Sequence, residues 1–121
     1  MSDLAKPGDL TSLRDDLRKF AAERDWDQFH TPKNLATALS IEASELLEPF
    51  QWLKTGEAGE LDERKTLAIR HELADVLMYL VRLADKLDVD LMTAAAEKLA
   101  LNHDKYPADR VRGDARKYSE Y

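Results

Sequence analysis

Turn-forming residues are rare in this chain of 121 residues, which contains only four glycines and four prolines. A fold made of many short strands needs frequent tight turns, and those turns depend on glycine and proline. Apolar residues instead recur at intervals of three and four, as they do on one face of an α-helix. The sequence therefore predicts an all-α protein, of a length that suits one domain with one sizeable core.

Four helices account for most of the chain and predict a four-helix bundle. Their predicted ranges are residues 9–23, 31–53, 62–87 and 90–106. Thr31 is a suitable N-cap followed by Pro32 at the first helical position, and Asp90 is a suitable N-cap for the last helix. Pro49 lies inside the second range, where it removes a backbone donor, so we expect a kink or an early end there.

These ranges divide the chain into three parts. We expect a flexible N-terminus over residues 1–8 and a helical domain over residues 9–106. Residues 107–121 lack apolar periodicity, and we expect an extended C-terminal tail that contacts a neighbouring subunit.

The third predicted helix is apolar around more than one face. Its apolar residues extend beyond the stripe of ~100° that a surface helix usually buries. They are Leu73, Val76, Leu77, Met78, Leu80, Val81 and Leu83. A central position in a thick bundle would explain this pattern, as would packing against another subunit. We favour the second explanation, because large apolar patches usually mark interfaces.

The overall charge argues against several classes of partner. Acidic residues outnumber basic ones by 24 to 18, giving a net charge of −6, so we expect neither a nucleic acid polymer nor a membrane as partner. The absence of cysteine excludes disulfides, thiolate catalysis and cysteine-ligated zinc. No apolar run reaches the ~18 residues of a membrane span, and the first residues lack a signal-peptide pattern, so we expect a cytoplasmic protein.

Two acidic pairs are embedded in apolar helical sequence. Glu42 and Glu45 are three residues apart, and Glu72 and Asp75 repeat that spacing on the next predicted helix. Three residues correspond to a rotation of about 300°, so both members of a pair lie on one side of the helix. In an antiparallel hairpin the four carboxylates would converge, and they would repel one another unless protons or cations lay among them. Their oxygens suit Mg²⁺ or Mn²⁺, and Mg²⁺ commonly binds substrate phosphates as well.

Aromatic residues follow the same faces. Trp52 lies seven residues after Glu45, and Tyr79 lies seven residues after Glu72, so each could stack on a nucleobase beside a metal–phosphate site. Most aromatic residues on helices simply pack in the core. A single acidic pair usually lies on a helix face that is exposed to solvent. Two alternatives therefore stay open: a non-catalytic helical interaction module, and a carboxylate-bridged di-metal bundle. The second is weak because such bundles use Glu-x-x-His on paired helices.

Several longer segments carry a resemblance to a known family. Besides the ExxE and ExxD pairs, they are FAAERDWDQFHTPKNLA (20–36), FQW (50–52), ELADVLMYLVRLA (72–84), KYPADRVRG (105–113) and RKYSEY (116–121). They resemble the MazG-like all-α nucleoside triphosphate pyrophosphohydrolases, and in particular their dCTP pyrophosphatase branch. The resemblance covers nearly the whole chain from Leu10 onward.

The resemblance implies hydrolysis of a (deoxy)nucleoside triphosphate, dCTP or a related dNTP, to the monophosphate and pyrophosphate. It implies Mg²⁺ as the cofactor, with Mn²⁺ as a substitute, and a homotetramer built as a dimer of dimers, or a homodimer. The metal ligands it implies are Glu42, Glu45, Glu72 and Asp75. The nucleoside pocket it implies contains Trp26, His30, Trp52 and Tyr79. Phosphate or inter-subunit contacts are assigned to Asn102, Lys105, Arg116, Lys117 and Tyr118. Glu45 is our candidate for the catalytic base, with Glu42 and Glu48 as alternatives.

Two positions depart from the family pattern. The animal dCTP enzymes carry a substrate-contacting histidine at the position that matches Leu17, and leucine cannot make that hydrogen bond. Pro49 is not expected in the family's second helix. A pocket that lacks one polar contact can lose much of its discrimination, so the preferred base and sugar stay open.

Overall fold

The computed structural model describes residues 5–116 and 118–120. Over these residues the chain forms five α-helices joined by short 3₁₀ turns. The helices are α1 (Leu10–Glu23), α2 (Pro32–Leu47), α3 (Glu63–Lys86), α4 (Leu91–Lys105) and the short α5 (Ala108–Val111). The 3₁₀ turns are Asp27–Phe29, Glu48–Phe50, Ala58–Glu60 and Tyr118–Glu120. No strand occurs in this part of the chain, and the predicted all-α class is confirmed.

Helix starts are fixed by local capping. Thr31 Oγ1 accepts a hydrogen bond from the backbone N–H of Asn34 at 3.2 Å, and Asp90 Oδ1 accepts from the N–H of Met92 at 3.1 Å, as the sequence predicts. Asp9 and Asp62 cap α1 and α3 in the same way, each accepting an N–H three residues later at 2.7 Å. Each such cap satisfies a donor that the helix leaves unpaired and contributes about 1 kcal/mol.

The second helix ends earlier than its apolar pattern indicates. The predicted end at residue 53 is wrong, because α2 stops at Leu47 and passes into the 3₁₀ turn Glu48–Phe50. Pro49 lies in that turn, where its missing N–H and its ring prevent continuation of the α-helical hydrogen bonds. The early end expected at Pro49 is what the structure has.

The connection from this turn to α3 is held by one carboxylate. Glu60 accepts hydrogen bonds from the backbone N–H groups of Lys54, Thr55 and Gly56 at 2.8–3.0 Å and from the Thr55 hydroxyl at 2.7 Å. The Thr55 hydroxyl is the main reason why the pKa of Glu60 falls to about 2. The loop that leads into α3 is therefore closed around a charged acceptor.

The described residues fall into two units, one up to Asp88 and the other from Val89. In the first unit, α1 and α2 both pack against α3. Its buried apolar side chains are Ala21, Leu35, Val81 and Ala84. The second unit contains α4, α5 and the final 3₁₀ turn, and in it Arg116 pairs with Asp114 at 2.6 Å.

Large apolar side chains of α2 and α3 remain exposed. Ile41 is 52% exposed, Leu47 64% and Leu73 53%, although Val81 and Ala84 on α3 are buried. An apolar surface of this kind is typical of interfaces, as expected for a contact with another subunit. None of the described helices combines the length and apolarity needed to cross a bilayer.

Candidate active site

The packing of α2 on α3 brings three predicted metal ligands together. One carboxylate oxygen from each of Glu42, Glu45 and Glu72 lies within 4.8 Å of the other two. Two of them come from α2 at positions three apart, and the third comes from the facing side of α3. We call these three residues the acidic cluster. It contains no histidine, which disfavours a Glu-x-x-His di-metal bundle.

The acidic cluster holds more negative charge than its surroundings neutralise. The pKa of Glu42 rises to about 7, mainly because its carboxyl group can share a proton with Glu72, and further because of burial and of Glu45 nearby. One buried oxygen of Glu42 and one of Glu72 have no hydrogen-bond partner among the described residues. Hard oxygen donors left unpaired in this way fit a divalent cation such as Mg²⁺ or Mn²⁺.

Asp75, the fourth predicted ligand, lies one turn beyond Glu72 on α3. It is not among the three carboxylates within 4.8 Å of one another, and it lines an adjoining cavity instead. Because Asp75 and Glu72 are three residues apart, they share one face of the helix. Asp75 thus connects the acidic cluster to the cavity.

The cavity has a volume of about 280 Å³ and lies among α1, α3 and the two residues that flank the turn Asp27–Phe29. Its apolar lining consists of Leu17, Phe20, Ala21 and Met78. The other lining residues are Trp26, His30, Asp75, Tyr79 and Arg82. Three of the four residues predicted for a nucleoside pocket therefore line one cavity, together with Leu17, the position that departs from the family pattern. This mostly apolar lining with a few polar groups is typical of a small-molecule site.

Trp26 is positioned by the sharp end of α1. Asp25 adopts a left-handed backbone conformation with φ of 55°, which reverses the chain. The N–H of Trp26 then donates to the carbonyl of Ala21 at 2.9 Å. The indole ring lies edge-on to Phe20 with 5.8 Å between ring centroids. The helix end therefore folds Trp26 back onto α1, at the wall of the cavity.

Arg82, which is only 6% exposed, was not predicted as a site residue from the sequence. Its Nε donates to His30 Nδ1 at 3.2 Å, and its Nη2 donates to Asp27 Oδ1 at 2.5 Å. The signal was present in the sequence, because Arg82 interrupts an apolar run three residues after Tyr79 and seven after Asp75. These intervals place it on the face that carries the other site residues.

His30 is kept neutral in this setting. Burial lowers its pKa first, the positive charge of Arg82 lowers it further, and Asp27 partly offsets these effects. An uncharged imidazole at neutral pH can act as a hydrogen-bond donor at one ring nitrogen and an acceptor at the other.

A more open groove of about 400 Å³ adjoins the other side of the acidic cluster. Its charged lining residues are the acidic Glu45, Glu48, Asp62 and Glu72 and the basic Arg64 and Lys65, neither of which was predicted from the sequence. Lys65 lies seven residues before Glu72, so helical rotation places both on one side of α3. Lys65 Nζ also lies 3.7 Å from Asp62 Oδ2. The groove therefore places two cationic side chains beside the acidic cluster, one of them already paired with a carboxylate.

The remaining predicted residues are Trp52 in the first unit and five residues of the second unit. Trp52 follows the end of α2, is 88% exposed and is not part of the cavity lining in the described chain. In the second unit, Asn102 and Lys105 belong to α4, and Arg116 pairs with Asp114 and donates to the carbonyl of Glu120. The backbone of Tyr118 begins the last 3₁₀ turn, whereas Lys117 lies outside the described residues.

Comparison with known proteins supports the family that the sequence resembles. The MazG-like family pattern matches residues 37–121. The dCTP pyrophosphatase 1 of Homo sapiens is 44% identical over 98% of this chain and 75% of its own length. That of Rattus norvegicus is 46% identical over 84% of this chain, which spans 61% of the rat protein. The crystal structure of a pyrophosphatase from Archaeoglobus fulgidus superposes with a TM-score of 0.76 at 40% identity, covering 87% of this chain and 99% of that one. The chain therefore belongs to the MazG-like family and is a homologue of the dCTP pyrophosphatases.

Proposed function

We propose that this protein hydrolyses a deoxynucleoside triphosphate, with dCTP as the first candidate, to the monophosphate and pyrophosphate in a Mg²⁺-dependent reaction. The broader class, a nucleotide pyrophosphohydrolase, follows from the dCTP pyrophosphatase homologues. The observation that carries the proposal is the acidic cluster beside a mostly apolar cavity, with Asp75 linking the two. A nucleotide has two corresponding parts: a flat base that fits an apolar cavity, and a charged phosphate chain that fits a metal-binding acidic cluster.

In this proposal Glu42, Glu45 and Glu72 hold the divalent ion, and Asp75 is the fourth ligand. The two buried oxygens that no described residue hydrogen-bonds support this assignment. A bound divalent ion neutralises charge on the triphosphate and makes a bound water more acidic. Mg²⁺ is the first candidate and Mn²⁺ the second, because both prefer carboxylate oxygens.

Glu45 acts as the general base in the proposed reaction. It belongs to the acidic cluster and also lines the groove that contains Arg64 and Lys65. The Glu45 carboxylate takes the proton of a water whose oxygen bonds to the α-phosphorus, and the bond from that phosphorus to the pyrophosphate oxygen breaks. Arg64 and Lys65 stabilise the charge of the departing pyrophosphate. Glu42 is the alternative base.

The base of the nucleotide occupies the cavity, between Trp26 and Tyr79 and beside His30. Aromatic faces stack on any nucleobase, so Trp26 and Tyr79 supply affinity for the base. The polar groups that line the cavity supply selectivity among bases. Trp52 is proposed as an additional nucleoside contact. Asn102, Lys105, Arg116, Lys117 and Tyr118 are proposed to contact phosphate or a second subunit in a cytoplasmic homotetramer or homodimer.

Pyrophosphate release from each of the four dNTPs, with Mg²⁺ and after its removal by a chelator, tests this function. We expect release only with the metal, and the highest kcat/KM for dCTP. Absence of release from every dNTP would leave a non-catalytic interaction module as the better interpretation.

A further inference from the structure

The contact between Arg82 and His30 determines where the imidazole carries its proton. Arg82 Nε lies 3.2 Å from His30 Nδ1. A guanidinium group only donates hydrogen bonds and keeps its protons at any pH that a folded protein meets, so Nδ1 must be the acceptor. A neutral imidazole with its lone pair on Nδ1 carries its hydrogen on Nε2.

Arg82 is itself held in place from two further directions. Its Nη2 donates to Asp27 Oδ1 at 2.5 Å, and its Nη1 lies 3.6 Å from Asp85 Oδ2. Neither carboxylate depends on Arg82 alone, because Lys86 binds Asp27 at 2.6 Å and Arg18 binds Asp85 at 2.5 Å. These contacts fix the guanidinium plane, and removing Arg82 would leave both carboxylates paired.

We propose that Arg82 is a positioning residue for base recognition, because it holds His30 as the Nε2–H tautomer and so presents a fixed hydrogen-bond donor to the base. The inference rests on the proposed function, since it requires the base to enter the cavity that His30 and Arg82 line. A fixed donor matches a carbonyl oxygen or an unprotonated ring nitrogen, which the edge of cytosine provides. The same donor disfavours a base whose edge places an N–H group opposite it, because two donors would then face each other.

The charges around His30 favour its neutral imidazole. Arg82 and Lys86 on α3 disfavour a second proton on the imidazole, whereas Asp27 in the 3₁₀ turn favours it. Asp75 and Tyr79 line the same cavity from α3, and Arg18 on α1 is paired with Asp85. The direct contact with Arg82 is the one that distinguishes the two ring nitrogens.

Nitrogen NMR of ¹⁵N-histidine-labelled protein without substrate tests the tautomer directly. The chain has three histidines, and His30→Gln identifies the signals of His30. We expect a pyridine-type Nδ1 and a pyrrole-type Nε2 in the wild type, and a mixture of tautomers in Arg82→Met. A wild-type spectrum with the proton on Nδ1, or an unchanged spectrum in Arg82→Met, would overturn the proposal.

Steady-state kinetics with dCTP tests the consequence for binding. We expect Arg82→Met to raise KM about tenfold, as for one misplaced hydrogen bond, and to change kcat by less than about twofold. Arg18→Met is the matched control: it removes an arginine from the same ion-pair network but from outside the cavity, and should keep the wild-type KM. Circular dichroism melting of each variant verifies that it is folded.

A double-mutant cycle separates positioning from a structural role. If Arg82 acts through His30, Arg82→Met has no further effect on KM in the His30→Gln background. Additive effects would overturn the proposal. A wild-type Nε2–H spectrum in a protein that hydrolyses no dNTP would remove the proposed function but leave the Arg82–His30 assignment in place.

Discussion

Glu42 on α2 and Glu72 on α3 lie close enough to share a proton, yet in the described part of the chain each leaves one buried carboxylate oxygen without a hydrogen-bond partner. Such an arrangement costs free energy, because like charges repel and the buried oxygens have lost their hydrogen bonds to water. A ligand bound to these oxygens would offset that cost. The folded protein therefore retains an unfavourable contact at the point where α2 meets α3. A divalent cation would relieve both the repulsion and the unpaired oxygens.

The metal-free protein should lose stability as the pH rises through the range set by Glu42. Its pKa is about 7 when folded, against 4.5 for an unperturbed glutamate, so the folded state binds the proton more tightly. The free energy of unfolding therefore decreases from about pH 4.5 to pH 7 and levels off above that range. Thermal melting in chelator, compared with Glu42→Gln, isolates this contribution because the variant lacks the titrating group. Equal pH dependence in both proteins would contradict the assignment.

Addition of Mg²⁺ should raise Tm more at pH 8 than at pH 5. Metal binding requires ionised carboxylates, and at the lower pH the cluster retains a proton that the ion must displace. Melting curves with and without Mg²⁺ at the two pH values measure the effect. A Tm increase that does not depend on pH would indicate binding away from Glu42 and Glu72.

Removal of charge from the acidic cluster should abolish activity without loss of stability. We expect Glu45→Gln and Glu72→Gln to lower kcat/KM by at least about 100-fold, because charge stabilisation and the base are lost. In chelator their Tm should stay the same or rise, since a repelling charge is gone. Glu63→Gln is the matched control, because Glu63 is exposed at the start of α3 and lies outside the cluster. Wild-type turnover in Glu45→Gln would remove Glu45 as the base.

Leu17→His should increase discrimination among bases. Leu17 lines the cavity, so a histidine there adds a polar group beside the bound base. We expect kcat/KM for dCTP relative to dTTP to rise about tenfold, as for one added polar contact. Competition assays with both nucleotides measure this ratio. An unchanged ratio would indicate that the base does not reach Leu17.

Gly56→Ala should destabilise the loop that leads from α2 to α3. Gly56 has φ of +79°, and a Cβ there would lie 2.8 Å from Cδ1 of Phe50. We expect a loss of about 1–3 kcal/mol in the free energy of unfolding, measured by urea denaturation. Gly59→Ala in the same loop is the control, because no heavy atom lies within 4 Å of its added Cβ. Similar losses in both variants would exclude the contact with Phe50 as the cause.

Features that depend on neighbours along the chain can be predicted from the amino-acid sequence. Thr31 and Asp90 cap their helices through hydrogen bonds that span three residues or fewer, and Pro49 ends α2 through its own ring. The shared face of Glu42 and Glu45 follows from helical rotation alone. The family could also be recognised, because its motifs are contiguous segments.

Which helix faces meet depends on how the helices pack in three dimensions. His30 and Arg82 are 52 residues apart, and Trp52, predicted to share the face of Glu45, lies exposed beyond the end of α2. Helical periodicity fixes the direction of a side chain relative to its own axis, but not the distance or crossing of two axes. The closeness of Glu42 and Glu72, the position of Asp75 at the cavity and the tautomer of His30 therefore depend on how α1, α2 and the turn at Asp27–Phe29 pack on α3.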